Sequence, residues 1–128
     1  MDVETVEESE YDVAAFADEL RAASANVGTS RLFENDRVRV WEVRLAPGER
    51  APFHAHTLGY FWTCVDPGVG RQRYADGTMK VFRYRLGDTR YSEHSPDAPM
   101  LHDLENIGDT VLRFVTVELL GHGLTDRT

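Results

Sequence analysis

The chain has 128 residues with 14 Lys and Arg, 22 Asp and Glu, and a formal charge of −8. That length suits one domain with a core large enough to fold without disulfides, and the one cysteine, Cys64, excludes an intrachain disulfide framework or a multi-cysteine zinc site. Eight of the acids and none of the bases fall in residues 1–20, so the remaining body is formally neutral and has no electrostatic reason to bind nucleic acid or an anionic membrane.

Residues 1–9 read as an acidic disordered arm. Residues 10–25 predict a helix: Val13, Phe16 and Leu20 recur at three- and four-residue steps, and acids crowd the front half. Asn26-Val27-Gly28 is its expected stop. The chain then changes character. Short runs rich in β-branched and aromatic residues alternate with turn residues at Asn35-Asp36, Pro47-Gly48, Asp66-Pro67-Gly68, Asp76-Gly77, Gly87-Asp88, Ser95-Pro96 and Gly108-Asp109. Asp76-Gly77 between two such runs is the strongest hairpin signal. Many short strands with regular turns predict a single all-β sandwich or barrel over 10–128. No apolar run approaches the roughly 20 residues of a membrane span, and the acidic front lacks a secretory pattern. With one cysteine, a cytoplasmic protein is expected.

Two strands carry extra information. In 37–45, Val38 and Val40 share one parity, and Trp41, Val43 and Leu45 share the other. Either a bulge switches faces or the first part is covered on both sides. The last strand, Val111 to Leu120, is also apolar on both faces. The N-terminal helix or a second subunit would supply that cover, and a homodimer is expected.

The chain has five histidines. His122, in the Gly-rich tail, reads as a structural or exposed residue. His54 and His56 differ, because alternation along a strand points both imidazoles to one face, a ready bidentate site for a transition metal. Gly48 precedes the pair by six residues, and downstream stand Pro99, His102 and Asn106. These residues resemble the two motifs of the cupin superfamily, G-x5-H-x-H and a Pro-led H-x3-N, over about residues 30–120. The wording of Leu32–Glu49 is similar to small single-domain cupins labelled beta-alanine degradation proteins. The resemblance implies a double-stranded β-helix, or jelly-roll barrel, here with a short N-terminal helix. It also implies metal ligation by His54, His56 and His102.

The pattern departs from the family's at two places. Tyr60 and Phe61 stand where the first motif's glutamate falls, and the second motif lacks its glycine. The implied ligand set is three histidines without a carboxylate, as in cupin-type diketone-cleaving and thiol dioxygenases. It leaves open positions for water, substrate or dioxygen. Fe(II) is favoured; Zn, Ni, Mn and Cu also suit imidazole. Phe61 occupies the place of the cysteine that a Cys–Tyr crosslink of the thiol dioxygenases would need, which argues against thiol oxidation. Glu93 and His94 are either exposed loop residues or, respectively, a replacement carboxylate and a fourth ligand or nearby base.

Strand parity sets the expected lining of the interior: Tyr60, Trp62 and Cys64; Phe82, Tyr84 and Leu86; Met100, His102, Leu104 and Asn106; Leu112, Phe114 and Thr116. Tyr60 and Tyr84 are candidate catalytic proton donors. Trp62, Phe82, Asn106 and Phe114 are candidate substrate contacts, with Arg73 and Arg83 as anchors for a substrate carboxylate. Three functions compete on the sequence: a metal-dependent dioxygenase or isomerase acting on a small organic acid, enol or diketone; a non-catalytic small-molecule-binding barrel; and an interaction protein that docks a partner through its acidic arm.

Overall fold

The computed structural model describes residues 3–121. Ten strands carry the fold: β1 (Glu4–Glu10), β2 (Ser30–Glu34), β3 (Val38–Leu45), β4 (Arg50–His56), β5 (Tyr60–Asp66), β6 (Gly68–Arg73), β7 (Thr78–Tyr84), β8 (Thr89–Ser92), β9 (Met100–Asn106) and β10 (Leu112–Leu119). They form two five-stranded sheets, in the orders β1-β7-β6-β9-β4 and β2-β3-β10-β5-β8. Both sheets contribute to one core, where Phe82, Tyr84 and Leu104 meet Val43, Leu45, Cys64, Leu112 and Phe114. The all-β barrel expected from the turn pattern is therefore present. No helix among the described residues is long and apolar enough to cross a membrane.

Two glycines act where only glycine fits. Gly77 takes φ 94° in the β6–β7 hairpin, a left-handed conformation that side chains resist. The hairpin fixes the register that sets Gln72 opposite Lys80 and Gly70 opposite Phe82. At Gly70 a Cβ would lie 3.0 Å from both Leu104 Cδ1 and Tyr84 Cε2, so the sheets close tightly over that backbone.

The front of the chain departs from expectation. Residues 1–9 do not form a disordered arm throughout: Glu4–Glu10 pair antiparallel with β7, and Val3 is buried in the core. The edge of β7 offers unpaired backbone groups, and its cations match the acids. Glu4 pairs with Arg83 at 2.8 Å and Arg85 at 2.9 Å, while Glu8 lies 3.8 Å from Lys80. Composition argues disorder only when no complementary edge is waiting.

The helix is shorter than the periodicity predicts. Asp12 caps a 3-10 turn over Val13–Phe16, accepting from Ala14 N at 3.1 Å, and α1 covers only Ala17–Arg21. The segment's contacts decide its path. Phe16 packs edge-on against Phe53, and the guanidiniums of Arg50 and Arg73 lie 5.1 and 5.2 Å from its ring.

The parity conflict in β3 resolves without a bulge against β10, whose register runs unbroken from Leu112–Leu45 to Leu119–Val38. Trp41, Val43 and Leu45 are buried inside, and Val38 and Val40 lie half-buried on the outer face. Leu86, expected in the interior, is 72% exposed beyond the end of β7. His122 lies outside the described residues.

Candidate metal centre

A bulge builds the histidine cluster. On β4, Ala51 pairs with Leu104 and His54 with His102, so one extra residue is inserted at Pro52-Phe53. Proline suits that place because it has no N–H to lose from the ladder. The extra residue switches the strand's parity, so Ala51, His54 and His56 all reach the interior. The bulge leaves Phe53 N–H for another partner, and Glu19 of α1 takes it at 2.8 Å. Arg50 holds that same carboxylate, with Nη1 donating to Glu19 Oε1 at 3.0 Å. The short helix thus secures the irregular turn that aims His54.

His54, His56 and His102 bring one ring nitrogen each to within 4.8 Å of one another. His56 Nε2 lies 3.1 Å from His102 Nε2. Two tautomers are set by carbonyl acceptors: His54 Nδ1 donates to Pro52 O at 2.9 Å, and His102 Nδ1 donates to Gln72 Oε1 at 2.7 Å. The Nε2 lone pairs of both are therefore free to point at a cation. His56 is held differently, by a parallel stack on Tyr60 at 4.0 Å, and its buried Nδ1 has no partner among the described residues. Burial pushes all three imidazoles below their ordinary pKa, His56 to about 2 and His102 well down, with neighbouring histidines adding to the effect at His56 and His102. Neutral imidazole is the form that binds metal. These three residues fit a divalent transition metal.

Gln72, absent from the sequence expectations, organises the surroundings. Its Oε1 accepts from His102 Nδ1 and from Tyr74 OH at 2.8 Å, and its Nε2 donates to Tyr84 OH at 2.8 Å. Burial raises the Tyr60 and Tyr84 phenols well above their ordinary value and pushes Tyr74 up to about 12, so all three keep their protons near neutrality. A cavity of about 470 Å³ opens beside the cluster, and a smaller apolar one of about 50 Å³ lies on its inner side. Tyr60, Trp62, Gln72, Tyr84 and His102 line both.

Of the other expected contacts, Phe82 lines the large cavity and Phe114 the small one. Three fall elsewhere. Arg73 is on the outer side of its sheet, bonded to Asp103 and Glu105. Arg83 is exposed and paired with Glu4. Asn106 is fully buried, but it is consumed by backbone: its amide donates to Leu45 O and Thr110 O and accepts from Gly108 N. Glu93 is exposed and accepts from Tyr91 OH, so it supplies no replacement carboxylate. His94 is half-buried, bonded to Ser92, with its ring centroid 6.3 Å from that of His56 and outside the ligating group. Burial pushes the Cys64 thiol up to about 11, which keeps it inert. Lys80 and Arg90 are the cations that line the large cavity.

No protein-family model and no curated protein matches the chain. Among solved structures, a cupin domain from Bordetella pertussis shares 23% identity over 70% of this chain and 88% of its own, with TM-score 0.62. A double-stranded β-helix protein from Klebsiella pneumoniae shares 20% identity over 88% and 84%, with TM-score 0.58. The fold is that of the cupins. A Bacillus subtilis oxalate decarboxylase shares 27% identity with this chain over 65% of it and 22% of the enzyme, with TM-score 0.51. The narrower likeness, to cupins labelled beta-alanine degradation proteins, gains no support from these neighbours.

Proposed function

We propose that this cupin is a metalloenzyme whose ion is held by His54, His56 and His102, and which acts on a small organic acid, enol or diketone in a dioxygenase-like reaction. The observation that carries this reading is the convergence of three neutral imidazoles, two with their Nδ1 protons committed to carbonyl acceptors. Bound there, Fe(II), or Zn, Ni, Mn or Cu, supplies Lewis acidity and open positions for oxygen ligands. The chain's own residues do the rest. Gln72 orients His102, and Tyr60 and Tyr84 hold protons beside the cluster. Trp62 and Phe114 make the small cavity against the cluster apolar, and Phe82 forms part of the wall of the larger one. Oxalate decarboxylase is named for chemistry on a small acid, an analogy that agrees with this substrate class.

A second reading, a barrel that binds a small molecule without chemistry, draws on the ring of Tyr60 stacked on His56 where a ligating carboxylate would fall. Elemental analysis after anaerobic reconstitution, followed by oxygen uptake against small acids and diketones, separates the two. The enzyme reading expects close to one transition ion per chain, lost when all three histidines become alanine, and turnover with at least one substrate. Bound metal with no uptake across the panel favours the second reading, and no metal removes the first.

A homodimer belongs to the same proposal. Register aligns Phe33, Val40, Val117, Phe61 and Tyr91 in one row across the outer face of the second sheet, with Phe33 and Tyr91 each 53% exposed. Such a row is self-complementary about a two-fold axis. Light scattering of wild type against Phe33→Glu tests it, and a monomeric wild type would refute it. A cytoplasmic setting goes with this reading, since the free Cys64 suits a reducing compartment.

A further inference from the structure

The large cavity has a polarity that the metal reading does not account for. Register on β8 sets Arg90 opposite Trp62 and Ser92 opposite Tyr60. Arg90 and Ser92 therefore lie on the cavity side of the sheet, Arg90 exposed at the mouth and Ser92 half-buried, while Thr89 and Tyr91 face out. On the other sheet Lys80 pairs with Gln72, so it also points inward, beside the residue that holds His102. Each sheet thus sends one cation into a single cavity, in a chain whose formal charge is −8.

Most other arginines of the barrel are spent on protein carboxylates: Arg39 on Glu34 and Glu118, Arg50 and Arg73 on Asp103, Arg83 and Arg85 on Glu4, Arg113 on Asp66. Arg90 has no carboxylate partner among the described residues, and its charge reaches the hydroxyls of Tyr60 and Tyr74. Lys80 is only loosely held, 3.8 Å from Glu8. The one acid on the cavity wall, Asp76, is turned to its own hairpin, accepting from Thr78 N at 3.0 Å and Thr78 Oγ1 at 2.7 Å.

We propose that this cavity is a carboxylate-binding site, with Arg90 as the anchor, Lys80 as the second cation, and Trp62, Phe82 and Tyr84 as walls for an apolar or aromatic body. The volume of about 470 Å³ lies within the range of small-molecule pockets. A guanidinium grips a carboxylate with two parallel hydrogen bonds. Tyr60 and His102 line the same cavity as Arg90, so the atoms next to an anchored carboxylate face the histidine end while the apolar body lies along the aromatic walls. The substrate class is a 2-oxo or enolic monocarboxylate carrying a branched or aromatic group. This deepens the metalloenzyme reading, since the oxygen function at the second position would meet the histidine end.

The test titrates the full-length chain with phenylpyruvate and 3-methyl-2-oxobutanoate, each against its methyl ester, by calorimetry. Metal content is measured on the same preparations. Wild type should bind at least one acid about tenfold tighter than its ester, the range expected for one charge-assisted pair at a partly solvated position. Arg90→Gln should erase that preference and leave ester binding unchanged. Lys80→Gln should reduce it by a smaller factor, and Arg83→Gln should leave it intact. The melting temperature of each variant verifies folding. An acid preference that persists in Arg90→Gln, or no binding of either acid to wild type, overturns the proposal even in protein that holds metal. An Arg90-dependent preference in protein that takes up no metal would sustain the anchor and remove the metalloenzyme reading.

Discussion

Strand β9 carries two opposed chemistries on its two faces, one residue apart. His102 points inward, neutral, among aromatic rings and the amide of Gln72. Asp103 points outward and is fully buried. It accepts from Arg50 Nε at 2.7 Å, from Arg73 Nη1 at 2.9 Å and from Arg73 N at 2.7 Å. Glu105, two residues on, joins the same group through Arg71 and Arg73. The outer face spends charge on fastening β4, β6, β9 and α1 together. The inner face is kept free of charge so that its lone pairs remain available. The division assigns stability to one side of the strand and the candidate metal ligand to the other.

The largest expected effect comes from His102→Ala, which should lower metal content from about one ion per chain to near zero by elemental analysis while leaving far-ultraviolet circular dichroism unchanged. Asp103→Ala should do the reverse: the protein that folds still loads metal, but stability falls by about 3–5 kcal/mol, the usual cost of stranding one side of a buried ion pair, read as a lower urea midpoint. If Asp103→Ala removes the metal as well, the two faces are not separable. Gln72→Leu should weaken metal affinity about 10–100-fold in a chelator competition, because it releases the His102 tautomer, and should lower the urea midpoint less than Asp103→Ala does, a loss of about 1–3 kcal/mol for the buried Tyr84 hydroxyl left without its partner.

Acid should distinguish the faces by where each begins to fail. Below an unfolded value near 6.5, the unfolded chain protonates its histidines while the buried cluster does not, with His56 resisting to about 2. The unfolded state then binds more protons, so stability falls with acid by about 1.4 kcal/mol per pH unit from His56 alone. Glu19 is held below its ordinary value, chiefly by the hydrogen bond from Arg50. Its contribution is therefore present above about 4.5 and is lost only in stronger acid. Urea midpoints should decline from about pH 6.5 downward in wild type and more shallowly in His56→Gln. Equal slopes would mean that the cluster does not set the first window.

Much of this was legible in the residues. The hairpin at Asp76-Gly77 follows from turn chemistry, and the inward placement of His102, Leu104, Phe114 and Thr116 follows from alternation. Alternation also held the clue to the cavity cations: Lys80 shares the parity of Phe82 and Tyr84, whereas Arg83 has the opposite parity and is outside. What could not be read were the long-range pairings. Nothing local tells that Glu19 will close the bulge at Pro52-Phe53, that the edge of β7 will order residues 4–10, or that Asn106 will be used up by Leu45 and Thr110. Gln72 was hidden for the same reason, since an amide acquires a role only through its three partners.

The tight closure over Gly70 makes the centre adjustable from a distance. A methyl group there would press on Tyr84 and Leu104, and Tyr84 passes any displacement through its hydroxyl to Gln72 and onward to the imidazole of His102. One added carbon atom, touching none of the three histidines, would thus shift the setting of the imidazole cluster, which makes residue 70 a natural first position for tuning metal affinity without altering a ligand.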